Sequence, residues 1–109
     1  MKRSLLNLIL RQYREGLRAI LGQQFRDIVL YGSEARGQAV EDSDVDVLIV
    51  LNAPFEYGDM ILRTSELTAQ LSLSHDCVLS RTFVTQQEYE SKNTPFLMNV
   101  RREGSQFDS

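Results

Sequence analysis

The chain has 109 residues, a formal net charge of −3 and a single cysteine, Cys77. This length suits one domain with one hydrophobic core and leaves no room for a separate substrate domain. The twelve lysine and arginine residues are scattered along the sequence, whereas proteins that bind nucleic acid through phosphate contacts usually present a basic face. A single cysteine excludes an internal disulfide and argues against a cysteine-based zinc site. We therefore expect neither a disulfide scaffold nor a protein that binds nucleic acid directly.

The sequence shows no membrane or targeting segment. Its longest apolar run, Val45–Leu51, is interrupted by Asp46 and is far too short to cross a bilayer. The N-terminal stretch begins with basic residues, but Arg11 and Arg14 interrupt its apolar part and no small-residue cleavage site follows. We expect a cytoplasmic protein with no membrane partner.

The first half of the chain predicts one helix and two strands. Apolar residues recur at spacings of three and four from Ser4 to Leu21, which indicates an amphipathic helix, and Gly22 suits its end. Asp27–Tyr31 is typical of a short buried strand. Asp44–Leu51, rich in valine and isoleucine, predicts a second strand.

The middle of the chain predicts a loop, a second helix and a third strand. Asn52–Gly58 contains proline, glycine and asparagine and is typical of a loop. Asp59 is suited to cap the helix that follows. Asp76–Val84 is the candidate for the third strand.

Two shorter helices are predicted near the C-terminus. The spacing of Thr85 and Glu88 is that of a capping box, and Pro95 and Gly104 suit the start and the end of a last helix. We expect residues 1–104 to form a single domain and residues 105–109 to be a frayed tail. The order of elements predicts an α/β fold, in which helices pack on a small mixed β-sheet of three or more strands.

Two carboxylates open the second predicted strand. Side chains two residues apart point to the same side of a strand, so Asp44 and Asp46 should project together. Neighbouring carboxylates repel each other, which is costly unless a cation neutralises them. Magnesium suits such hard oxygen ligands and is usually bound by one or two carboxylates plus substrate phosphates. The alternative is an acidic strand end that merely faces water, and the Asp-x-Asp spacing alone leaves both open.

A small polar turn precedes this pair. Gly32 lets the backbone come close to a ligand, and Ser33 can cap a one-turn helix whose free N–H groups attract an anion. A phosphate-binding turn followed by a magnesium pair is typical of phosphoryl or nucleotidyl transfer. Two other motifs do not match: Val47 and Ala53 stand where an EF-hand loop needs glycine and glutamate, and the turn lacks the lysine of a Walker A loop.

Together these residues resemble the G-S-x10-D-x-D motif of the polymerase-beta nucleotidyltransferase superfamily. The longer string G-S-x-A-R-G-x5-S-D-x-D-x-x-V resembles its minimal nucleotidyltransferase (MNT) branch, with Ile49 in place of the final valine. The resemblance covers nearly the whole chain, from the first helix to Gly104. It implies a polymerase-beta-like nucleotidyltransferase fold and an enzyme that transfers a nucleotide from ATP to an acceptor hydroxyl with the help of two Mg²⁺ ions.

The resemblance also implies roles for five residues of the motif. The Gly32 backbone and Ser33 would hold the triphosphate, and Asp44 and Asp46 would bind the magnesium ions. Arg36 would approach a phosphate, although a surface ion pair is an equal alternative for it.

A third carboxylate is expected from the resemblance on a later strand. Asp76 is the candidate, because it is the only acidic residue between Glu66 and Glu88. In this family the residue helps to activate the attacking hydroxyl and bridges toward one metal ion. The alternative for Asp76 is an aspartate that caps the start of the strand.

Stand-alone MNT proteins resemble the antitoxin half of HEPN–MNT toxin–antitoxin pairs, in which AMP passes from ATP to a tyrosine of the HEPN ribonuclease. The resemblance thus implies a protein adenylyltransferase antitoxin in a hetero-oligomer with a HEPN-type toxin. Three alternatives remain: a transferase for a small molecule of the aminoglycoside type, a non-catalytic antitoxin that neutralises its partner by binding, and a polymerase fragment, against which the short acidic chain argues. An apolar surface for a partner could come from Phe55, Tyr57, Phe96 and Met98, although core packing explains these residues equally well.

Overall fold

The computed structural model describes residues 3–32, 44–103 and 105–106. Its elements in chain order are α1 (Arg3–Leu21), a 3-10 turn (Gly22–Gln24), β1 (Phe25–Tyr31), β2 (Asp44–Leu51), α2 (Tyr57–Ser74), β3 (Val78–Thr85), α3 (Gln86–Ser91), α4 (Pro95–Glu103) and β4 (Ser105–Gln106). The strands form one sheet in the order β3-β2-β1-β4. β1 is antiparallel to β2 and to β4, whereas β2 and β3 run parallel. The predicted α/β fold with a mixed sheet is confirmed.

Helices α1 and α2 cover one face of the sheet. The apolar stripe of α1 is buried there, as its spacing predicts. Gly16 allows the two helices to approach closely, since a Cβ atom at this position would lie 2.7 Å from the side chain of Leu67. A hydrogen bond of 2.8 Å between the hydroxyls of Tyr13 and Thr68 satisfies both polar groups inside this layer.

Helices α3 and α4 cover part of the opposite face. Thr85 and Glu88 form the predicted capping box at the start of α3, and Pro95 opens α4 as predicted. Leu97 and Val100 of α4 pack with Val29, Leu48, Val50 and Val84 of the sheet. This second core is smaller than the first, because the two helices are short.

The start of α2 differs from the one predicted. α2 begins at Tyr57 rather than after Asp59, and its N-cap residue Glu56 makes no side-chain capping bond. The predicted capping role of Asp59 is therefore wrong. The helix starts earlier because Tyr57 is held by tertiary packing: its ring lies edge-on to Phe83 at 5.4 Å, and its hydroxyl accepts a hydrogen bond from the Phe83 amide.

The prediction of a frayed tail at residues 105–109 is also wrong in part. Ser105 and Gln106 pair with Leu30 and Val29, so this short segment occupies the outer edge of β1. The backbone groups of an edge strand need partners, and the end of the chain supplies them here. Gly104 and residues 107–109 lie outside the described residues. Within the described part of the chain, no helix is both long and apolar enough to cross a membrane.

Candidate functional site

The two predicted metal-binding carboxylates lie at one end of the sheet. Asp46 pairs with Tyr31 of β1 on one side and with Ser80 of β3 on the other, and Asp44 pairs with Val78. The intervening residues of β2 are buried beneath α1 and α2, so both aspartates project from the opposite face. Asp44 is exposed and Asp46 is partly buried.

The electrostatics of the pair favour a bound cation. Burial, together with the charge of Asp44, raises the pKa of the Asp46 carboxyl above its ordinary value. The folded chain therefore disfavours the ionised form of Asp46 unless an opposite charge is nearby. Carboxylate oxygens that project side by side from a rigid strand are suitable ligands for Mg²⁺, so the residues present fit this metal.

Gly32 brings the backbone of the β1 exit against this carboxylate. Its φ angle is +82°, in the region that favours glycine. A Cβ atom here would collide with the side chain of Asp46, and the short distance involves a carboxylate oxygen. Both observations explain why the motif requires glycine. They also place a backbone turn next to the candidate metal site, where the sequence predicts triphosphate binding.

Tyr31 forms a wall of the site beside Asp46. Its hydroxyl lies 3.4 Å from Oγ1 of Thr82, and its ring meets Phe96 of α4 edge-on at 5.4 Å. Burial is the main cause that raises the pKa of the Tyr31 hydroxyl, and the charge of Asp46 adds to it. These contacts connect the sheet to α4 at the edge of the site.

Asp76 lies in the turn between α2 and β3, because β3 begins only at Val78. The predicted start of this strand at Asp76 is therefore wrong. Asp76 has a φ angle of +50° and follows His75, the C-cap residue of α2. The amide of Cys77 donates a hydrogen bond of 3.0 Å to the carbonyl of Ser72. This is the six-to-one hydrogen bond of the Schellman motif that ends a helix, with Asp76 at the left-handed position.

The structure does not bring the predicted residues together as one set. Among residues 3–32 and 44–106, leaving out 104, no three histidine, cysteine, aspartate or glutamate side chains are grouped so that they could hold a metal ion. Asp76 is thus not clustered with Asp44 and Asp46 here, and its catalytic role stays a prediction. Ser33 and Arg36 lie outside the described residues, so their phosphate-binding roles stay predictions as well.

One residue at the site was missed by sequence reasoning. Ser80 lies directly beside Asp46 in the parallel pair of β2 and β3, and it is partly buried. Residues paired in this way project from the same face of the sheet. No motif marks Ser80, since its position follows from the register between two strands that α2 separates in the sequence.

A separate cavity lies at the other end of β2 and β3. Its volume is about 520 Å³, and it is lined by Pro54, Phe55, Tyr57, Phe83, Thr85, Gln87 and Glu88. Phe55 and Tyr57, proposed from the sequence as partner-facing residues, pack here against each other and against Phe83. Tyr57 is nevertheless 44% exposed, and Phe96 and Met98 are exposed on α4.

Comparisons with known proteins identify the family of the chain. The family model described as Nucleotidyltransferase domain matches residues 10–97. A Methanocaldococcus jannaschii protein, provisionally named a protein adenylyltransferase, is 29% identical over 96 residues. The match covers 87% of this chain and 90% of that protein.

Solved structures share the fold. A chain from the crystal structure of a toxin–antitoxin with AMP-PNP has a TM-score of 0.65 at 19% identity, covering 91% of this chain and 72% of that one. A chain from the complex of a tri-AMPylated Shewanella oneidensis HEPN toxin with an MNT antitoxin has a TM-score of 0.50 at 16% identity, with coverage of 93% and 72%. The family model spans the three long strands and both aspartates, and the chain belongs to the nucleotidyltransferase domain family.

Proposed function

We propose that this chain is a Mg²⁺-dependent protein adenylyltransferase, an antitoxin that transfers AMP from ATP to a tyrosine hydroxyl of a HEPN-type toxin. The observation that carries the proposal is the pair of Asp44 and Asp46 on the open end of the sheet, with the Gly32 turn against it. The M. jannaschii relative, provisionally named a protein adenylyltransferase, supports the reaction. The two toxin–antitoxin structures of the same fold support ATP as substrate and a HEPN toxin as partner.

Asp44 and Asp46 would hold magnesium. When bound, this metal neutralises charge on the triphosphate and on the departing pyrophosphate. The backbone at Gly32 together with Ser33 would bind the triphosphate, and Arg36 would approach a phosphate. The backbone turn and the aspartates would thereby fix the α-phosphorus in front of the acceptor.

The transfer is a single displacement at the α-phosphorus. The tyrosine oxygen forms a new bond to phosphorus as the bond between the α-phosphorus and the bridging oxygen breaks, and pyrophosphate leaves. The phenol loses its proton to solvent before its oxygen attacks. Such a reaction depends on positioning and electrostatic stabilisation more than on covalent chemistry by the protein.

A partner surface would complete this site. Two exposed apolar residues of the described chain lie beside the aspartates: Val78 on β3, which pairs with Asp44, and Phe96 on α4, whose ring meets that of Tyr31 next to Asp46. Water competes with the acceptor hydroxyl wherever a transfer site is open. A toxin docked on this face would exclude water and present its tyrosine, which supports a hetero-oligomer.

The experiment is intact-mass spectrometry of the partner that co-purifies with this chain, after incubation with ATP and Mg²⁺. We expect whole AMP units to be added to the partner. The double variant Asp44→Asn/Asp46→Asn should lower the rate by at least about 100-fold, because loss of ligand-orienting groups alone costs 10- to 100-fold. Asp59→Asn, an exposed aspartate at the other end of the sheet, is the matched control and should retain the rate.

Each alternative function gives its own result. A partner that binds tightly but gains no mass would support neutralisation by binding alone. Transfer of AMP to a small molecule, with none to the partner, would support the small-molecule enzyme.

A further inference from the structure

We propose that β3 contributes the hydroxyl of Ser80 to the nucleotidyl-transfer site, in place of the carboxylate of Asp76. Asp44 and Asp46 are then the only acidic metal ligands that strands β2 and β3 supply. This inference rests on the proposed function, and it changes the ligand set expected from the resemblance.

The register between β2 and β3 places Ser80 at the site. β2 and β3 pair in parallel without a shift from Asp44–Val78 to Leu51–Thr85. The β3 residues that share the face and the level of the two aspartates are Val78 and Ser80. Val78 is apolar and 55% exposed, so Ser80 is the polar side chain that β3 places beside Asp46.

The conformation of Asp76 carries the second step. Asp76 is held at a φ of +50° by the turn that ends α2, with the Cys77 amide bonded to Ser72 and the His75 amide bonded to Leu71. Aspartate is one of the few residues other than glycine that visit this region routinely. Helix termination thus accounts for an aspartate at this position without any catalytic role.

A site with two carboxylates and the Ser80 hydroxyl differs chemically from a site with three carboxylates in two respects. A pair of carboxylates carries one negative charge fewer than a set of three, so the free site should bind a divalent cation more weakly. The triphosphate must then supply the missing negative charge, which means that metal and nucleotide bind together. A neutral hydroxyl from Ser80 also cannot take a proton from the acceptor as a carboxylate can.

The test is a titration of the whole chain with Mn²⁺ alone, followed by electron paramagnetic resonance of the free ion. Asp76→Gly should leave the dissociation constant within about twofold of wild type and should raise the melting temperature, since glycine relieves the left-handed strain. Ser80→Ala should weaken binding by about tenfold, and Ser80→Asp should tighten it by about tenfold. Asp59→Asn is the control for the loss of an exposed aspartate.

Two outcomes would overturn the inference. One is an Asp76→Gly variant that loses as much Mn²⁺ affinity as Asp44→Asn. The other is a Ser80→Ala variant that binds Mn²⁺ as tightly as wild type. If Ser80→Asp does not fold, two milder variants still show which residue binds the metal: Ser80→Ala, and Asp76→Gly at an exposed position.

The outcomes also separate this inference from the proposed function. If the expected Mn²⁺ pattern occurs but no AMP is transferred, the proposed function fails, and Ser80 remains a metal ligand without a part in nucleotidyl transfer. If AMP is transferred but Asp76→Gly abolishes both metal binding and transfer, the proposed function stands and the role of Ser80 fails.

Discussion

The two faces of the sheet are covered to different extents. On one face, the long helices α1 and α2 cover the strands from Val45 to Leu51. On the other, the short helices α3 and α4 reach Leu48 and Val50, and Asp46 lies beyond this second core. A single strand, β2, therefore carries a fully buried row of side chains and a row that ends in two carboxylates.

This difference shows how a small domain can afford a costly site. The covered face supplies a continuous apolar core, which stabilises the strand that both rows share. The partly covered face leaves room for charged groups and for a ligand. Side chains alternate along β2, so one row stabilises the fold while the other row is free to carry the charged groups of the site.

The largest effect is expected from Ile49→Ala, on the covered face. Ile49 is completely buried between the sheet and the helices, and its loss should destabilise the fold by about 2–5 kcal/mol. Urea denaturation measures the effect, and Leu62→Ala, an exposed position on α2, serves as control. A loss no larger than the control's would contradict the importance of this core.

Gly16→Leu tests the close contact of α1 and α2 on the same face. The new side chain must displace Leu67, so we expect a loss of about 1–3 kcal/mol. A double-mutant cycle with Leu67→Ala should recover part of this loss, whereas Ala19→Leu on the exposed side of α1 should have little effect. Additive losses in the cycle would show that the two residues do not compete for the same space.

Thr85→Ala tests the other face, where α3 depends on its cap. Loss of the capping box should cost about 1 kcal/mol. Hydrogen bonds from Thr85 are the main cause that lowers the pKa of Glu88. A carboxyl with a lowered pKa in the folded state adds stability above its unfolded pKa, and this stability is lost as the pH falls through the folded pKa.

Denaturation as a function of pH measures that linkage. The difference in unfolding free energy between wild type and Glu88→Gln should shrink as the pH falls through the pKa of Glu88 in the folded state. Glu66→Gln, an exposed position on α2, is the matched control. A difference that stays constant with pH would disprove a stabilising role for the Glu88 charge.

Of these variants, Asp46→Asn should change stability least. Unlike the others, it should stabilise the fold. Because the pKa of Asp46 is raised, its stabilising contribution is fully present below the unfolded pKa and is lost as the pH rises through the folded pKa. The variant should therefore melt slightly higher than wild type at pH 7 in the absence of divalent cations. This advantage should vanish near pH 4, and a variant that melts lower at pH 7 would contradict the electrostatic cost of the site.

Features that depend on neighbouring residues in the sequence could be predicted. The capping box at Thr85 and Glu88, the proline start of α4 and the two aspartates on one side of β2 all follow from local spacing. The conformation that Gly32 adopts also agrees with its place in the motif. These features need no knowledge of how the elements pack.

Features set by tertiary contacts could not be predicted. The early start of α2 depends on Tyr57 packing against Phe83, and the pairing of Ser105 with Leu30 depends on an open strand edge. The position of Ser80 beside Asp46 depends on strand register. In each case residues distant in the sequence decide the outcome, and local propensity carries no information about them.

The place of β3 at one end of the strand order has a consequence for motion. Amide hydrogens of β2 lie between two neighbouring strands and should exchange with solvent mainly through global unfolding, whereas the outward amides of an edge strand exchange through local opening. Ser80 therefore lies on a strand that can fray while Asp44 and Asp46 stay fixed. This end of the sheet therefore combines a central strand that holds the two aspartates with an edge strand that can open locally.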